Sequence, residues 1–249
     1  MCSSDLNPQG FEAGLGDWRV EGGTWEVGRP TSGPGTTHGG TNCAAPVLAG
    51  NYADDTSGRL ASPGFLVPAL KDNPRLRLWH WYQFNCGDWG QVQIRRADGP
   101  WQAVSTIAGS GGGVWSPWMV DLSAYAGQVI EVGFYFESHN IPGGDCNYFD
   151  YDVAPGWYVD DVEVVTGPLG FAGPEGFEGG WHDWHAEGGT WEIGQPTSGP
   201  AKAHGGLNCA ATILAGNYPD GVDSWLISPS FVVPAARSEE HTSELQSLA

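Results

Sequence analysis

Basic residues are scarce in this sequence. It contains 10 lysine and arginine residues against 29 aspartate and glutamate residues, which gives a formal net charge of −19 at pH 7. Nucleic acids and anionic membranes bind basic surfaces through their phosphates, so we expect neither as a partner. An acidic surface that is poor in lysine suits a secreted protein, and its carboxylates can supply oxygen ligands for hard cations.

The motifs of common catalytic sites are missing as well. There is no HExxH zinc motif and no GxSxG nucleophile elbow. The glycine-rich stretch GSGGGVW lacks the lysine of a phosphate-binding loop, and no apolar run approaches the ~20 residues that cross a bilayer. We therefore expect a chain without enzyme activity and without membrane insertion.

The most informative feature that is present is a repeat. The stretch GFEAGLGDWRVEGGTWEVGRPTSGP recurs as GFEGGWHDWHAEGGTWEIGQPTSGP, with Phe11 matched by Phe177, an offset of 166 residues. Of the 58 paired positions between 11 and 68, 36 are identical. A period of this length is one whole domain and not a solenoid unit. We predict a complete module over residues 7–167, a linker over 168–172, and the N-terminal part of a second, truncated module over 173–236.

The two ends of the chain differ in character from the repeat. The tail RSEEHTSELQS resembles the translation of a sequencing-library adapter, and the head MCSSDL resembles the opposite strand of the same adapter. The alternative is a pair of ordinary polar termini. We expect residues 1–6 and 237–249 to be adapter-like artefacts, and we exclude them from the interpretation of the fold.

Alternation of apolar and polar residues with a period of two dominates the first copy. PRLRLWHWYQF places Leu76, Leu78, His80, Tyr82 and Phe84 on one face, and QVIEVGFYFE does the same for Ile130, Val132, Phe134 and Phe136. In GWYVDDVEVV the shared face is predicted to hold Tyr158, Asp160, Val162 and Val164. Clusters of Gly, Pro, Asn and Asp separate these runs, and only DLSAYAG could form a helical turn. The pattern predicts an all-β sandwich.

The cysteines point to an oxidising compartment. Cys86 and Cys146 both lie in loop-like contexts rich in Gly, Asp and Asn, so a disulfide between them is plausible. Cys43, which recurs as Cys209, would then be an unpaired and buried thiol. A bridge from Cys43 to either of the other two cysteines remains the alternative.

The order of motifs resembles a known group of families. FE, W, SGPGTTHGG, GNY, RLASP, LRLWHWY and GWYVDDV follow one another as in the MAM domain, although the typical MAM cysteine pattern is not reproduced. The chain is equally similar to bacterial relatives, namely the modules of immune-inhibitor-A-type secreted peptidases, cleaved-adhesin domains and choice-of-anchor proteins. This resemblance implies a jelly-roll β-sandwich, concanavalin- or galactose-binding-like, that adheres or binds beside a catalytic domain elsewhere. It also implies structural calcium.

The carboxylates are the candidate metal ligands. Asp160 is predicted to point inward with few basic residues nearby in sequence, and a buried carboxylate needs a partner. By resemblance to galactose-binding-type jelly rolls, Glu12 and Asp160 would hold one Ca²⁺ between the first and last strands. The loop GGDCNYFDYD could add Asp145, Asn147, Asp150 or Asp152. The alternative is a solvated acidic loop, with Asp160 accepting backbone N–H bonds.

The tryptophans allow two interpretations. Trp79 and Trp81 lie opposite the Leu76 face of their strand, and with Trp89 they could stack against sugar rings. The alternative, which we favour, is that both faces of the sandwich are covered and these rings are core. His38 and His204 occupy glycine-rich turns where a structural hydrogen-bonding role is favoured, and His80 is expected to be a core histidine.

The sequence thus predicts a non-catalytic, calcium-stabilised adhesion or substrate-targeting module of a secreted or cell-surface bacterial multidomain protein. Its expected partner is a glycan or an extracellular protein, bound weakly and multivalently because the module is repeated. One alternative is an accessory domain of a secreted peptidase whose catalytic domain lies outside this chain. A second alternative is a structural spacer on the cell surface.

Overall fold

The computed structural model describes residues 8–97, 99–140, 153–168 and 175–231. Within these ranges the regular structure is β-strand, with 3-10 turns at Leu70–Asp72 and Ser123–Tyr125. The second turn falls in DLSAYAG, as predicted. No helix in the described part of the chain has the length and apolar character needed to span a membrane. The predicted all-β class is confirmed.

Two antiparallel sheets form the first copy. The order in the first sheet is β1 (Arg19–Glu21), β4 (Ser57–Ala61), β10 (Val129–Glu137), β7 (Trp89–Arg96) and β8 (Gln102–Ala108), with β5 (Phe65–Leu66) paired to the start of β10. The order in the second sheet is β2 (Glu26–Gly28), β3 (Cys43–Ala45), β11 (Gly156–Val165), β6 (Arg75–Gln83) and β9 (Ser116–Asp121). Most neighbouring strands are far apart in sequence, as in a jelly roll.

The core lies between the two sheets and follows the predicted alternation. From the second sheet, Leu76, Leu78, Tyr82 and Phe84 are buried against Ile130, Val132, Phe134 and Phe136 of the first sheet. The fully buried Trp157 lies at the centre of this layer. Its ring makes edge contacts with Trp25 at 6.0 Å and Phe134 at 5.6 Å between ring centroids. His80 is also buried in this layer and stacks on Trp118 at 4.9 Å.

A second, smaller apolar layer covers the outside of the second sheet. Cys43, Ala45, Trp81 and Tyr158 are buried there, with Leu48 and Trp115 packed against them. We call these six residues the outer cluster. The Tyr158 hydroxyl is hydrogen-bonded to Ser32 Oγ at 2.9 Å, which ties the loop after β2 over the cluster. The second sheet is therefore covered on both faces near its centre.

The described part of the second copy repeats the strand pairing of the first. Strand β12 (His185–Glu187) pairs with β15 (Trp225–Ile227), and β13 (Glu192–Gly194) pairs with β14 (Cys209–Ala211). After the 166-residue offset, these registers are identical to those of β1 with β4 and of β2 with β3. These pairings form although the sequence holds no counterparts of β6 to β11 for this copy.

Some large side chains of the second copy are exposed where their counterparts in the first copy are buried. Tyr52 is 3 % exposed in the first copy, where its hydroxyl donates to Asp88 and its ring packs on Phe136 at 4.9 Å. Its counterpart Tyr218 is 72 % exposed, because the chain contains no equivalent of Asp88 or Phe136. Phe65 and its counterpart Phe231 differ in the same way, at 2 % and 55 % exposed.

We expect the second copy to open and to be digested before the first. Exposed apolar side chains and unpaired strand edges give low local stability. In limited proteolysis, cleavage within 175–231 should precede cleavage of the first copy. A chain ending at Gly167 should bind less of a hydrophobic dye than the 249-residue chain. Equal protease resistance of the two copies would contradict this expectation.

Candidate functional site

The loop from His38 to Asn42 is held by carboxylates from both ends of the first copy. Asp160 on β11 accepts the backbone N–H groups of His38 and Gly39, both at 3.1 Å, on its Oδ2 atom. Glu12, which precedes β1, accepts the N–H groups of Thr41 and Asn42 at 2.9 Å on Oε1 and the Thr41 hydroxyl at 2.8 Å on Oε2. The predicted metal pair thus converges on one segment of backbone. We call this arrangement the loop clamp.

A β-bulge in β11 decides where Asp160 points. The register with β6 shifts between Asp160 and Glu163, and Asp161 adopts a φ of +45°. Val162 and Val164 pack on the core, whereas Asp160 lies on the opposite side of the strand under the clamped loop. The prediction that Asp160 shares a face with these valines was wrong, because the extra residue of a bulge inverts the alternation. The predicted burial is correct, since Asp160 is 0 % exposed.

The two carboxylates of the loop clamp have opposite pKa shifts. Burial raises the pKa of Asp160 to about 7, and the neighbouring charge of Asp161 adds to the rise, whereas the backbone N–H groups of Gly39, Asp161 and His38 oppose it. The pKa of the exposed Glu12 is lowered by the N–H groups of Asn42 and Thr41, which stabilise the charged form. Asp160 is therefore the group of this pair that titrates near neutral pH.

Calcium remains a prediction at this position. Among the described residues, the Glu12 Oε2 and Asp160 Oδ1 atoms each accept one hydrogen bond, so each has a lone pair that a hard cation could use. No group of three or more acidic, histidine or cysteine side chains suited to a metal occurs within the described ranges. The other predicted ligands, Asp145, Asn147, Asp150 and Asp152, lie outside the described residues.

The glutamate part of the loop clamp also forms in the second copy. Glu178, the counterpart of Glu12, accepts the N–H groups of Leu207 and Asn208 at 2.9 Å. The Asn208 amide also donates to Phe177 O at 3.3 Å, as Asn42 donates to Phe11 O at 3.2 Å. The chain contains no counterpart of Asp160 for this copy. The glutamate half of the loop clamp therefore forms without the aspartate half.

The clamped loop also places a histidine on a tryptophan. The His38 ring stacks on Trp79 with 3.6 Å between centroids, and its Nδ1 lies 2.7 Å from Asp161 Oδ2. Trp79 is thus half-buried in a contact with the loop. Trp81, at 5 % exposed, makes an edge contact with Tyr158 inside the outer cluster. A ring buried in this way has no free face for a sugar, so Trp81 is core, which was the favoured alternative.

The third predicted tryptophan lies on a different surface, the outer face of the first sheet. Trp89 is half-buried on β7 and packs against Tyr135 of β10 at 5.4 Å between centroids. Beside them, Gln91 and Gln93 point outward along the same strand and are hydrogen-bonded to each other at 2.8 Å. This face thus carries aromatic rings next to amide groups, a combination found in ligand sites.

An arginine–aromatic cluster completes this face. The guanidinium carbons of Arg59 and Arg95 both lie 4.6 Å from the centroid of the Trp101 ring, and Arg59 lies 5.0 Å from that of Tyr135. Trp101 can approach the sheet closely because residue 133 is glycine; a Cβ there would be 2.9 Å from its ring. We call Trp89, Gln91, Gln93, Arg59, Arg95, Trp101 and Tyr135 the first-sheet face.

Ion pairs hold the arginines of this face in place. Arg59 donates to Glu21 at 3.0 Å and to Gln93 Oε1 at 2.9 Å. Glu131 accepts from Arg95 at 2.6 Å and is paired with Arg19 at 2.6 Å. The Trp101 indole N–H donates to Glu21 at 3.0 Å. The side chains are thus fixed before any ligand arrives, which reduces the entropy lost on binding.

Of the residues of the first-sheet face, the sequence predicted only Trp89 as a ligand-binding residue. Arg59, Arg95 and Trp101 come from three different strands or loops, so no local motif connects them. The signal that could have been used is the alternation in QVQIRR, which turns Gln91, Gln93 and Arg95 away from the core. This signal is weak, because polar residues are common on the solvated face of an antiparallel sheet.

The cysteines agree in part with the prediction. Cys86 is disulfide-bonded, and Cys43 and Cys209 are free thiols. Cys43 is fully buried, as predicted, and burial raises the pKa of its thiol to about 12, so it is unreactive near neutral pH. Cys146 lies outside the described residues, and the Cys86–Cys146 pairing stays a prediction.

Comparison with known proteins gives one clear relationship in sequence. No family model matches the chain. Bacillopeptidase F of Bacillus subtilis (strain 168) is 32% identical over 162 residues, which is 62% of this chain and 10% of that protein. The chain therefore spans about a tenth of the length of this curated relative.

Similar solved structures include β-sandwich modules. The K3 cleaved adhesin domain of Lys-gingipain from Porphyromonas gingivalis w83 has a TM-score of 0.44 and 17% identity, covering 66% of this chain and 100% of that one. The structure of TmCBM61 in complex with β-1,4-galactotriose has a TM-score of 0.44 and 17% identity, covering 65% and 97%.

In calcium-free buffer, we expect Asp160 to make the first copy less stable as the pH rises. Its pKa is about 7 in the folded state and near 4 in the unfolded state, so the folded state binds the extra proton between these values. The free energy of unfolding should therefore fall from about pH 4 to about pH 7. Denaturant melts at several pH values should show that the free energy of unfolding falls less with pH in Asp160→Asn than in the parent. The exposed Asp17→Asn should show the same fall as the parent. An equal fall in Asp160→Asn would contradict the expectation.

Proposed function

We propose that this chain is a non-catalytic ligand-binding module of a secreted or cell-surface bacterial multidomain protein, and that its first-sheet face binds a glycan. The observation that carries this proposal is the fixed array of half-buried rings, Trp89, Tyr135 and Trp101, beside amide and guanidinium groups on the outer face of the first sheet. Aromatic rings stack on the apolar faces of sugars, and planar polar groups exchange hydrogen bonds with the hydroxyls.

The arrangement of this face matches what weak glycan binding needs. The arginines and glutamines are already hydrogen-bonded to protein partners. A ligand would therefore bind only to their remaining N–H donors, and few polar groups of the protein would be fully desolvated on binding. The first-sheet face of one copy would therefore have modest affinity. Repetition of modules would raise the overall affinity through effective concentration, without a tighter single site.

The relation to Bacillopeptidase F favours the peptidase-accessory form of this proposal. Identity of 32% over 162 residues supports a common origin for these two segments, in a protein that is named a peptidase. In that setting the module would hold the peptidase near its substrate, and catalysis would reside outside this chain. The disulfide at Cys86 supports an extracellular location, because disulfides persist in oxidising compartments.

We propose calcium as a stabilising ligand of the loop clamp. Within the described residues no lysine or arginine pairs with the buried Asp160, whereas oxygen atoms of Glu12 and Asp160 face the same loop. A cation held by both would compensate the buried charge and would tie the first segment of the module to the last strand. Affinity would be low, with a Kd of about 10⁻⁴–10⁻³ M, as in other extracellular calcium modules.

Calcium should raise the melting temperature of the full chain, and a chelator should reverse the increase. Binding to the folded state alone stabilises it by mass action. Calcium would also lower the pKa of Asp160, so that the stability of the calcium-loaded protein should no longer fall between pH 4 and 7. Asp160→Ala should remove both effects. An identical melting temperature with calcium and with chelator would rule out the ion.

The glycan proposal is tested with the full chain on an array of plant and bacterial cell-wall polysaccharides, followed by calorimetry on the ligand captured. Trp89→Ala should weaken binding about tenfold, since a stacked ring contributes on the order of 1 kcal/mol or more. Gln91→Ala should weaken it less, and Gln102→Ala, an exposed glutamine of the edge strand β8, should leave it unchanged. Absence of any saturable ligand would favour the structural spacer instead.

A further inference from the structure

The two copies are in contact through different surfaces of the module. Strand β12 of the second copy lies alongside β9, the edge strand of the second sheet of the first copy. The buried Arg75 is paired with Asp183 at 3.3 Å. Trp79 makes an edge contact with Trp181 at 6.0 Å between ring centroids. The contact therefore includes one ion pair and one aromatic pair between the copies.

A steric fit at a glycine brings the copies close together. Gly112 adopts a φ of +71°, and a Cβ at this position would lie 1.8 Å from the Thr190 methyl group. Thr190 is 1 % exposed, and Ala186 of β12 is 0 % exposed. A larger residue at position 112 would push the second copy away. We call the contacts of β9, Arg75, Trp79 and Gly112 with the second copy the junction.

The counterparts of these residues in the first copy show where the burial comes from. Val20, the counterpart of Ala186, is 37 % exposed, and Thr24, the counterpart of Thr190, is exposed as well. The strand registers around the two pairs are the same. The incomplete second copy has fewer residues of its own to cover these positions than the complete first copy has. The junction is therefore what buries them.

The connection between the copies is fixed where it begins. The Gly167 N–H donates to Asp72 O at 2.8 Å, and its carbonyl accepts from the Asn73 amide and the Arg75 guanidinium, both at 3.3 Å. Arg75 thus contacts both the end of the first module and Asp183 of the second copy. Domains joined by a linker move relative to each other unless an interface holds them. Here the hydrogen bonds of Gly167 add to the contacts of the junction.

The junction joins opposite ends of the module and can therefore repeat. β12 corresponds to β1, the edge strand of the first sheet, whereas β9 is the edge strand of the second sheet. A contact between two different surfaces leaves one surface of each kind unused, so further copies can be added in the same way. Asp17 and Thr24 match Asp183 and Thr190 in residue type and are exposed in the first copy. They are available for the same contact with another copy.

We propose that the junction is a docking surface for a second copy of this module and that it holds successive copies in one fixed orientation. The carboxylate of Asp183 compensates the charge of the buried Arg75, and the fit of Thr190 on Gly112 sets the distance. A rigid array keeps its binding faces at a constant spacing, so multivalent binding is strongest for a ligand whose repeat matches that spacing. The docking itself does not depend on glycan binding by the first-sheet face.

The test follows the tumbling of the two copies by nitrogen-15 NMR relaxation of the full chain. Docked copies tumble as one body, so the amides of β6 in the first copy and of β13 in the second should give one rotational correlation time. A flexible connection would give β13 the shorter time. Two different correlation times in the parent chain would overturn the proposal.

Substitutions in the second copy should separate the copies. In Asp183→Asn the buried Arg75 loses its compensating charge, and in Thr190→Leu a larger side chain meets Gly112. We expect each variant to lose the common correlation time. Cleavage within 175–231 should become about tenfold faster, because proteolysis follows the population of the open state.

The repeat supplies the matched controls. Asp17→Asn and Thr24→Leu are the same substitutions at the exposed counterparts in the first copy, and both should behave as the parent does. Asp220→Asn, at an exposed position of the second copy outside the junction contacts, controls for the lower stability of that copy and should also be neutral. Unchanged tumbling in Asp183→Asn and Thr190→Leu, or equal effects of these variants and the controls, would contradict the proposal.

Discussion

The loop clamp is the interaction that joins the N-terminal segment of the first copy to its last strand. Backbone N–H groups of residues 38–42 are held by Glu12 at the start of the module and by Asp160 on its last strand. The polar backbone groups of a loop need hydrogen-bond partners, and here two carboxylates accept the hydrogen bonds of the loop's N–H groups. The clamped loop sets His38 on Trp79, and Trp79 in turn contacts Trp181 of the second copy. One set of hydrogen bonds therefore connects the closure of the module with the junction between copies.

The two copies separate local from non-local determinants of the fold. Strand registers near the N-terminus and the glutamate half of the loop clamp are the same in both copies. These features form in a copy that has no counterparts of β6 to β11, although its strand β12 contacts β9 of the first copy. Burial of Tyr52, in contrast, needs Asp88 and Phe136, which only a complete module provides. The incomplete copy thus has the strand pairs without the core, and most of the free energy of folding comes from burial between the sheets.

Charge is distributed unevenly between the candidate surfaces. In a chain with a net charge of −19, arginines 19, 59 and 95 gather on one sheet face, where they are paired with Glu21 and Glu131. The loop clamp has the opposite character, since within the described residues the buried Asp160 is held by backbone N–H groups and pairs with no lysine or arginine. The face proposed for glycan binding therefore combines aromatic rings with charges that protein partners already compensate.

The sequence by itself determined the repeat, the all-β class and the core faces of the long strands. Residues such as Leu76 and Phe134 lie where alternation predicts, because each side of a strand meets one environment. Only the tertiary structure decided the direction of Asp160, because a bulge in β11 inverts the alternation and one sequence gives no sign of it. The same holds for the cluster around Trp101. Its members come from strands and loops that are distant in the chain, so the cluster exists only once the sheet has formed.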